Sequence, residues 1–162
     1  MAYTTINKHT AHFDTKLYTG NDGTLNVTGM EFQPDFTWLK CRSTAYHNRL
    51  YDAVRGVTKS LRSDTADEEI TNAGQGLTAF NSDGFTVIQG NIEQNDNNET
   101  YASWNWKANG AGSANTDGTI NSTVSVNTTA GFSIVKYTGT ASNATVGHGL
   151  GVVPKCIIVK TL

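Results

Sequence analysis

The sequence predicts an all-β protein that folds as an antiparallel β-sandwich of the jelly-roll type. Short apolar segments follow one another along the chain and are separated by clusters of Gly, Asn and Asp, a spacing typical of such sandwiches. Helical periodicity is nearly absent from the 162 residues. A stretch near the N-terminus also recurs near the C-terminus, which indicates that one β unit has been copied.

Ten segments have the composition or the alternation expected of strands. Tight turns are predicted at residues 21–23 and 83–84, where Asn and Asp precede Gly. Because side chains alternate along a strand, Trp104 and Trp106 share one face, and we expect that face to be core. The predicted strands span about residues 13–19, 24–28, 36–42, 49–54, 77–80, 85–89, 100–107, 131–137, 144–147 and 155–160.

One segment, residues 64–72, carries a weak helical signal. Asp64 would cap such a helix, and the acidic residues at positions 67 to 69 would lie favourably in its first turn. A polar surface loop is an equal alternative for so short a segment.

The repeat places two stretches of the chain in register. Residues 13–20 reappear as residues 132–139 at an offset of 119, which becomes 120 after one inserted residue. Copies of one unit extend a molecule and multiply weak contacts, which favours structural or adhesive roles over catalysis. The matched pairs include Phe13 with Phe132, Tyr18 with Tyr137, Gly20 with Gly139, Val27 with Val146, Pro34 with Pro154, Trp38 with Ile158 and Lys40 with Lys160.

The repeat also predicts how the chain is organised. We expect an N-terminal segment over residues 1–12, a β-sandwich module over 13–107, a linker over 108–129 and a truncated second copy over 130–162. The linker is predicted from its Gly, Ala, Ser, Asn and Thr, since the segment has too few apolar residues to order itself alone. A strand over residues 119–126 is the alternative interpretation.

Composition and charge exclude several classes of partner. Charged residues make up 16% of the chain and the formal net charge is −2, so the basic patch that nucleic acid or an anionic membrane requires is absent. No stretch approaches the roughly 18 apolar residues of a membrane span. The N-terminus also lacks the pattern of a secretory signal. We expect a protein made in a cytoplasm and not inserted into a membrane.

The two cysteines, Cys41 and Cys156, occupy nearly equivalent positions in the two copies. A disulfide between them and a pair of free thiols are both compatible with the sequence. The repeat favours buried free thiols on strands.

The sequence lacks the residue patterns of a catalytic or metal site, so we expect no enzymatic activity and no cofactor. Glycosidase carboxylates face each other across a sugar, whereas the acidic residues at 67 to 69 are consecutive. The four histidines do not have the spacing of a zinc site. The acidic stretch at 93–99 lacks the glycine and the spacing of a calcium loop.

A group of aromatic and polar residues in the first unit indicates a candidate sugar-binding site. Flat aromatic rings stack on pyranose faces, while polar side chains hydrogen-bond to the hydroxyl groups. In the alternative interpretation, Trp38 and Tyr51 pack in the core and Asp52 pairs locally with Arg55. The candidate residues are Trp38, Tyr46, His47, Tyr51, Asp52 and Arg55.

Several motifs taken together resemble a repeated module of phage proteins, which is abundant in marine viruses and usually described as tail fibre or tail-associated structural protein. The resemblance covers residues 3–162, and the motifs are specific only as a set. They are Phe13-x-x-x-x-Tyr18-Thr19-Gly20, Gly29-x-x-Phe32-Gln33-Pro34-Asp35-x-x-Trp38-Leu39-Lys40, Tyr51-Asp52-Ala53-Val54-Arg55-Gly56, Phe80-Asn81-Ser82-Asp83-Gly84-Phe85-Thr86 and Tyr101-x-x-Trp104-Asn105-Trp106-Lys107-Ala108.

The resemblance implies a concanavalin-like or SPRY-like jelly roll, a second module beginning near Gly131, and a place on a virion. The role that it implies is structural, in a tail fibre or appendage that associates with itself and with other virion proteins and contributes to assembly and host attachment. Trimers are the usual symmetry of such fibres. The alternatives are a lectin-like module that binds a host surface glycan, and a decoration or adaptor protein of the capsid or tail. We also expect the apolar strand at residues 156–159 to be covered.

Overall fold

The computed structural model describes residues 6–90 and 93–162. Within these residues the chain forms twelve β-strands, preceded by a short 3-10 helix at His9–Ala11. The strands are β1 (Phe13–Thr19), β2 (Thr24–Val27), β3 (Phe36–Cys41), β4 (Arg49–Asp52), β5 (Lys59–Arg62), β6 (Ile70–Thr71), β7 (Gly76–Asn81), β8 (Gly84–Ile88), β9 (Thr100–Trp106), β10 (Ser113–Asn115), β11 (Ser122–Asn127) and β12 (Phe132–Tyr137).

Two antiparallel sheets form a sandwich, as the sequence predicts. The six-stranded sheet has the order β1-β9-β3-β4-β5-β6, and the three-stranded sheet that faces it has the order β2-β8-β7. Neighbouring strands run antiparallel throughout both sheets. The prediction of an all-β antiparallel sandwich is therefore confirmed.

The core lies between these two sheets because alternate residues of each strand point inward. Leu39 and Tyr51 of the six-stranded sheet form one cluster with Leu77, Phe85 and Val87 of the facing sheet, and none of the five is more than 1% exposed. Burial of each such side chain stabilises the fold by about 1.5–3 kcal/mol.

Trp104 and Trp106 share one face of β9, but that face points away from the sandwich core. The inward positions are Tyr101, Ser103 and Asn105, each 0% exposed, and the strand register sets Ser103 beside Leu39. The prediction that the tryptophans face the core is therefore wrong. Tyr101 and the hydrogen-bonded pair Ser103 and Asn105 fill the inner face of β9, and the two indole rings lie outside.

A third sheet, with the order β10-β11-β12, lies outside the sandwich. It includes β10 and β11 from the segment predicted to be a linker. Strand β11 is ordered although it is poor in apolar residues, because it pairs with a strand on each edge. Its buried Ser125 also accepts a hydrogen bond from the backbone N–H of Asn109 at 2.8 Å. The alternative of a strand over residues 119–126 describes this region better than a linker does.

The third sheet contacts the outer face of the six-stranded sheet through aromatic rings. Phe132 stacks on Trp106 with 5.9 Å between ring centroids and meets Phe36 at 6.0 Å. Trp106 also contacts Phe13 at 4.9 Å. Phe13 and its repeat equivalent Phe132 thus belong to the same cluster.

Other differences from the predicted elements are local. Residues 64–72 form a loop that ends in β6, not a helix, and β5 was not predicted. Strand β5 forms because Ser60 and Leu61 are buried where it pairs with β4. The predicted strands at 144–147 and 155–160 are absent from the described chain: Val146 makes an isolated bridge to Ile120, and residues 152–162 have no strand partner.

Candidate functional site

The predicted sugar site is divided between the two faces of the six-stranded sheet. The register of β3 with β4 sets Trp38 beside Leu50 and Thr37 beside Tyr51. Because neighbouring residues of a strand point to opposite faces, Trp38 points outward while Tyr51 points into the sandwich. The two rings therefore cannot contact one ligand together.

Tyr51 is a core residue. Its ring is 0% exposed, and its hydroxyl donates a hydrogen bond to Oε1 of Gln94 at 2.7 Å. Burial raises the pKa of Tyr51 above its usual value, since the interior disfavours the charged phenolate. Tyr51 is inaccessible to a sugar in this fold.

Asp52 and Arg55 form a buried ion pair at the end of β4. The Nε atom of Arg55 lies 2.5 Å from Oδ2 of Asp52, and Nη2 donates to the carbonyl oxygen of Leu50 at 3.0 Å. Nη1 donates to Oε2 of Glu69 at 3.2 Å. These partners occupy both side chains in holding β4 and the turn after it, as in the alternative interpretation of the sequence.

Tyr46 and His47 lie on the loop between β3 and β4. Lys40 donates from Nζ to the carbonyl oxygen of Tyr46 at 2.9 Å. A hydrogen bond with Asp96 raises the pKa of Tyr46 to about 12. His47 pairs through Nδ1 with Oδ2 of Asp64 at 2.9 Å. Both rings are partly exposed, and the contact with Asp64 tethers His47 to the loop before β6.

Glu99 anchors the start of the same loop. Its Oε2 accepts hydrogen bonds from the hydroxyls of Ser43 and Thr44, the latter at 2.7 Å. These hydrogen bonds lower the pKa of Glu99 below its usual value because they favour the charged carboxylate. The loop that carries Tyr46 and His47 is thus fastened beside the first residue of β9.

The outer face of the six-stranded sheet carries a pair of partly exposed tryptophans. Trp38 and Trp104 meet edge to face, with 6.4 Å between ring centroids. The register continues this row with Thr15 on β1, and the next row brings Leu17 and Lys40 to either side of Ala102. Leu17 is 65% exposed. This patch, formed by Trp38, Trp104, Leu17 and Lys40, is called the tryptophan face below.

Trp104 was absent from the residues that the sequence predicted for binding. The same alternation that paired it with Trp106 also placed it on one side of β9, but the sequence did not reveal which side faced the core. The pairing of β3 with β9 decides this, because it sets Trp104 beside Trp38.

The C-terminal segment, residues 152–162, is the most exposed apolar part of the described chain. Five of its side chains, those of Val152, Val153, Ile157, Ile158 and Val159, are 68–78% exposed. Within the described residues, no backbone–backbone hydrogen bond involves this segment. Its Lys160 donates from Nζ to the carbonyl oxygen of Thr65 at 3.0 Å. The expectation that residues 156–159 are covered does not hold within the single chain.

Both cysteines are free thiols. Cys41 is buried on β3, whereas Cys156 is exposed on the C-terminal segment. The prediction of two buried free thiols is right for Cys41 and wrong for Cys156, which lies in a segment that forms no strand.

Over residues 6–90 and 93–162, no group of three or more His, Cys, Asp or Glu side chains is placed to hold a metal ion. The same residues include no helix with the length and apolar character that crossing a bilayer requires.

Comparison with models of known protein families finds one family that matches this chain. A family model described as a domain of unknown function, DUF7483, matches residues 8–162. The chain belongs to this family. The match is continuous, so this DUF7483 domain includes all three sheets and the C-terminal segment. Neither the curated proteins nor the solved structures contain a match to the chain.

Proposed function

We propose that this DUF7483 protein is a non-enzymatic structural component of a phage virion, a module of a tail fibre or related appendage that assembles with other chains and contributes to host attachment. The exposed C-terminal segment is the observation that carries the proposal. Its five exposed apolar side chains lie on a segment that has no strand partner among the described residues. Such a segment is suited to pairing with a further β-strand.

The energetics favour association. Each large aliphatic side chain that moves from water into an interface contributes about 1.5–3 kcal/mol before the cost of ordering the segment. Soluble monomers rarely leave a contiguous apolar patch of this kind uncovered. Association through a strand also satisfies the free backbone groups of the segment.

The motifs that resemble those of phage tail proteins stabilise this fold. This supports a structural role for the protein over a catalytic one. Asp35 is 3% exposed, and its Oδ2 accepts a hydrogen bond from the backbone N–H of Ala108 at 2.7 Å. Tyr101 stacks on Tyr18 with 4.9 Å between ring centroids. These motif residues hold sheets and turns together.

The test is the mass of the purified protein in solution, measured by sedimentation over a range of concentrations. We expect an oligomer, with a trimer as the favoured symmetry, that dissociates when Ile158→Asp places a charge on the segment. Val57→Asp changes an exposed apolar residue outside both the segment and the tryptophan face, and it should leave the mass unchanged. Antibodies to the protein should label the appendages of particles whose genome encodes it. A stable monomer that labels no particle would overturn the proposal.

A second candidate function is carbohydrate binding, and the tryptophan face favours it. Trp38 and Trp104 present adjacent rings beside the amine of Lys40, a combination suited to stacking and hydrogen bonding with a sugar. Of the residues that the sequence predicted for sugar binding, this patch includes Trp38. It excludes Tyr51, Asp52 and Arg55, which are buried.

A glycan array with the purified chain tests this function. We expect selective binding that Trp104→Ala abolishes, with Tyr137→Ala, an exposed aromatic on the third sheet, as the control. Absence of any selective signal, or equal loss in both variants, would remove the candidate.

A further inference from the structure

The turn between β9 and β10 contains the only Asn-Gly pair of the sequence, Asn109-Gly110. Strand β9 ends at Trp106 and β10 begins at Ser113, so this turn carries the chain from the six-stranded sheet to the third sheet. Asparagine is chemically labile because its side-chain amide carbon can be attacked by the backbone nitrogen of the next residue. The attack is least hindered when that residue is glycine, which has no side chain.

The structure leaves both reacting groups of this pair free. Asn109 is exposed to solvent. Within residues 6–90 and 93–162, neither its side-chain amide nor the backbone N–H of Gly110 makes a hydrogen bond. A Cβ at Gly110 would meet nothing within 4 Å, so the space around the backbone nitrogen is open. The turn therefore permits the local movement that brings this nitrogen to Cγ of Asn109.

Other asparagines of the chain are protected. Asn95 and Asn105 are 0% exposed, and the Nδ2 atom of each donates two hydrogen bonds. Asn143 is exposed, but it precedes Ala144, whose side chain hinders the attack. Exposure and a following glycine thus distinguish Asn109 from these three residues.

Two Asp-Gly pairs, which can form the same cyclic imide, lie in tightly packed backbone. They begin at Asp83 and Asp117. A Cβ on the glycine after each would overlap a backbone carbonyl oxygen, that of Val27 in the first case and that of Thr145 in the second. The backbone at these two pairs lacks the room that Gly110 has.

We propose that Asn109 is a site of spontaneous deamidation, a covalent modification that the folded protein undergoes without an enzyme. The backbone nitrogen of Gly110 loses its proton and bonds to Cγ of Asn109, and the side-chain nitrogen leaves as ammonia. Water then opens the cyclic succinimide at either of its carbonyl carbons. The products are aspartate and isoaspartate, and in isoaspartate the main chain runs through the former side chain. The inference goes beyond the assembly role proposed above and does not depend on it.

The modification changes the turn at a point where the backbone is held on both sides. The backbone N–H of Asn109 donates to Oγ of Ser125 at 2.8 Å. On the other side, Gly112 lies so close to β11 that a Cβ there would be 2.5 Å from the carbonyl oxygen of Val124. Isoaspartate adds a methylene to the main chain between these two points. Because β10 has three residues and pairs only with β11, we expect the longer turn to weaken that pairing.

The first experiment incubates the complete protein under mildly alkaline conditions, which favour loss of the proton from the Gly110 nitrogen. Peptide mass mapping should show the change from –NH₂ to –OH at Asn109, at a rate similar to that of a synthetic peptide with residues 106–113. Ion-exchange chromatography should show a species with one more negative charge. Asn143 should remain intact, and Asn109→Gln should abolish the acidic species because its longer side chain disfavours ring closure. An intact Asn109 when the peptide converts, or equal conversion of Asn143, would overturn the proposal.

The second experiment compares amide hydrogen exchange in the isoaspartate fraction and in the unmodified protein. We expect faster exchange of the β10 amides in the isoaspartate fraction and unchanged exchange in β3, since the effect is local. Asn109→Asp introduces the same charge without the longer main chain, and its β10 amides should exchange like those of the unmodified protein. Equal exchange of β10 in the isoaspartate fraction and the unmodified protein would overturn the proposed effect on the third sheet.

Discussion

The guanidinium of Arg55 and the carboxylate of Asp52 pair at 2.5 Å in a site where both side chains are at most 7% exposed. Asp52 Oδ1 also accepts the backbone N–H of Arg55 at 2.8 Å. The pair closes the turn after β4, and Glu69 extends it toward β6. A buried pair of this kind makes the fold sensitive to loss of either partner, because the remaining charge is left in the interior.

We therefore expect Arg55→Ala to lower the free energy of unfolding by about 3–5 kcal/mol, measured by urea denaturation. Arg62→Ala is the matched control, since Arg62 pairs with Asp67 at 2.6 Å on the surface. Solvent-exposed ion pairs contribute little to the free energy of unfolding, so Arg62→Ala should lower it far less than Arg55→Ala does. Equal effects of the two substitutions would contradict the assignment of Asp52 and Arg55 to a buried structural pair.

The hydroxyl of Tyr51 gives a second prediction. Tyr51→Phe keeps the ring in the core and leaves Oε1 of Gln94 without its partner at 2.7 Å. We expect a loss of about 1–3 kcal/mol in the free energy of unfolding, the cost of an unsatisfied buried polar group. Tyr137→Phe, on an exposed ring, should have no measurable effect. If Tyr51→Phe also leaves the free energy of unfolding unchanged, the hydroxyl of Tyr51 does not stabilise the core.

The contact of Trp106 with Phe132 links the third sheet to the sandwich. A double-mutant cycle with Trp106→Ala and Phe132→Ala should give a coupling energy of about 0.5–1.5 kcal/mol, typical of a direct aromatic pair. The same cycle with Trp38 in place of Trp106 should be additive, because Trp38 contacts Trp104 instead. Additivity in both cycles would show that the third sheet is stabilised independently of the aromatic cluster.

The lowered pKa of Glu99 predicts a dependence of stability on pH. The folded carboxylate is favoured by hydrogen bonds from Ser43 and Thr44, so its pKa lies below the ordinary value of 4.5. The contribution of Glu99 to the stability of the fold is complete above pH 4.5, and it is lost as the pH falls through the lower pKa of the folded state. Thermal unfolding in acid should therefore show a component that Glu99→Gln removes. An unchanged acid profile in that variant would contradict this origin.

Gly20 and Gly139 are equivalent in the repeat but have different surroundings. A Cβ at Gly20 would overlap the carbonyl oxygen of Asp96 and lie 2.7 Å from the carbonyl carbon of Asn95, whereas one at Gly139 would meet nothing within 4 Å. We expect Gly20→Ala to destabilise the fold by about 1–3 kcal/mol through overpacking. Gly139→Ala should leave stability unchanged or slightly raised. Similar effects at both positions would mean that the loop at 95–96 adjusts without cost.

The strands that the sequence predicted best are those whose side chains follow a local rule. Strands β1 and β3 begin at the predicted residues, because short segments rich in aromatic, aliphatic and Thr residues and bounded by turn formers define a strand without knowledge of its neighbours. Strands β5, β6 and β10 were not predicted, and β11 was predicted only as the alternative to a linker, because most of their residues are polar and are ordered by the strands beside them. The C-terminal segment shows the converse, since it has the sequence pattern of a strand but pairs with no strand among residues 6–90 and 93–162.

The candidate site depended even more on tertiary structure. The sequence identified Trp38, Tyr51 and Asp52 as aromatic and polar groups close together in the chain, but a sheet separates neighbouring residues onto two faces. The pairing of β3 with β9 then brought Trp104 to Trp38 from 66 positions away. Neither result follows from local spacing.

By itself, then, the sequence determined the all-β class, most strand positions and the repeat, because turn residues and period-two alternation act over a few residues. Only the tertiary structure decided which face of β9 is core, that Asp52 and Arg55 are buried together, and that Ile158 is exposed where Trp38 is partly covered. These features depend on which strands become neighbours. Strand pairing joins segments that are far apart in the chain, and the local sequence of one segment does not specify its partner.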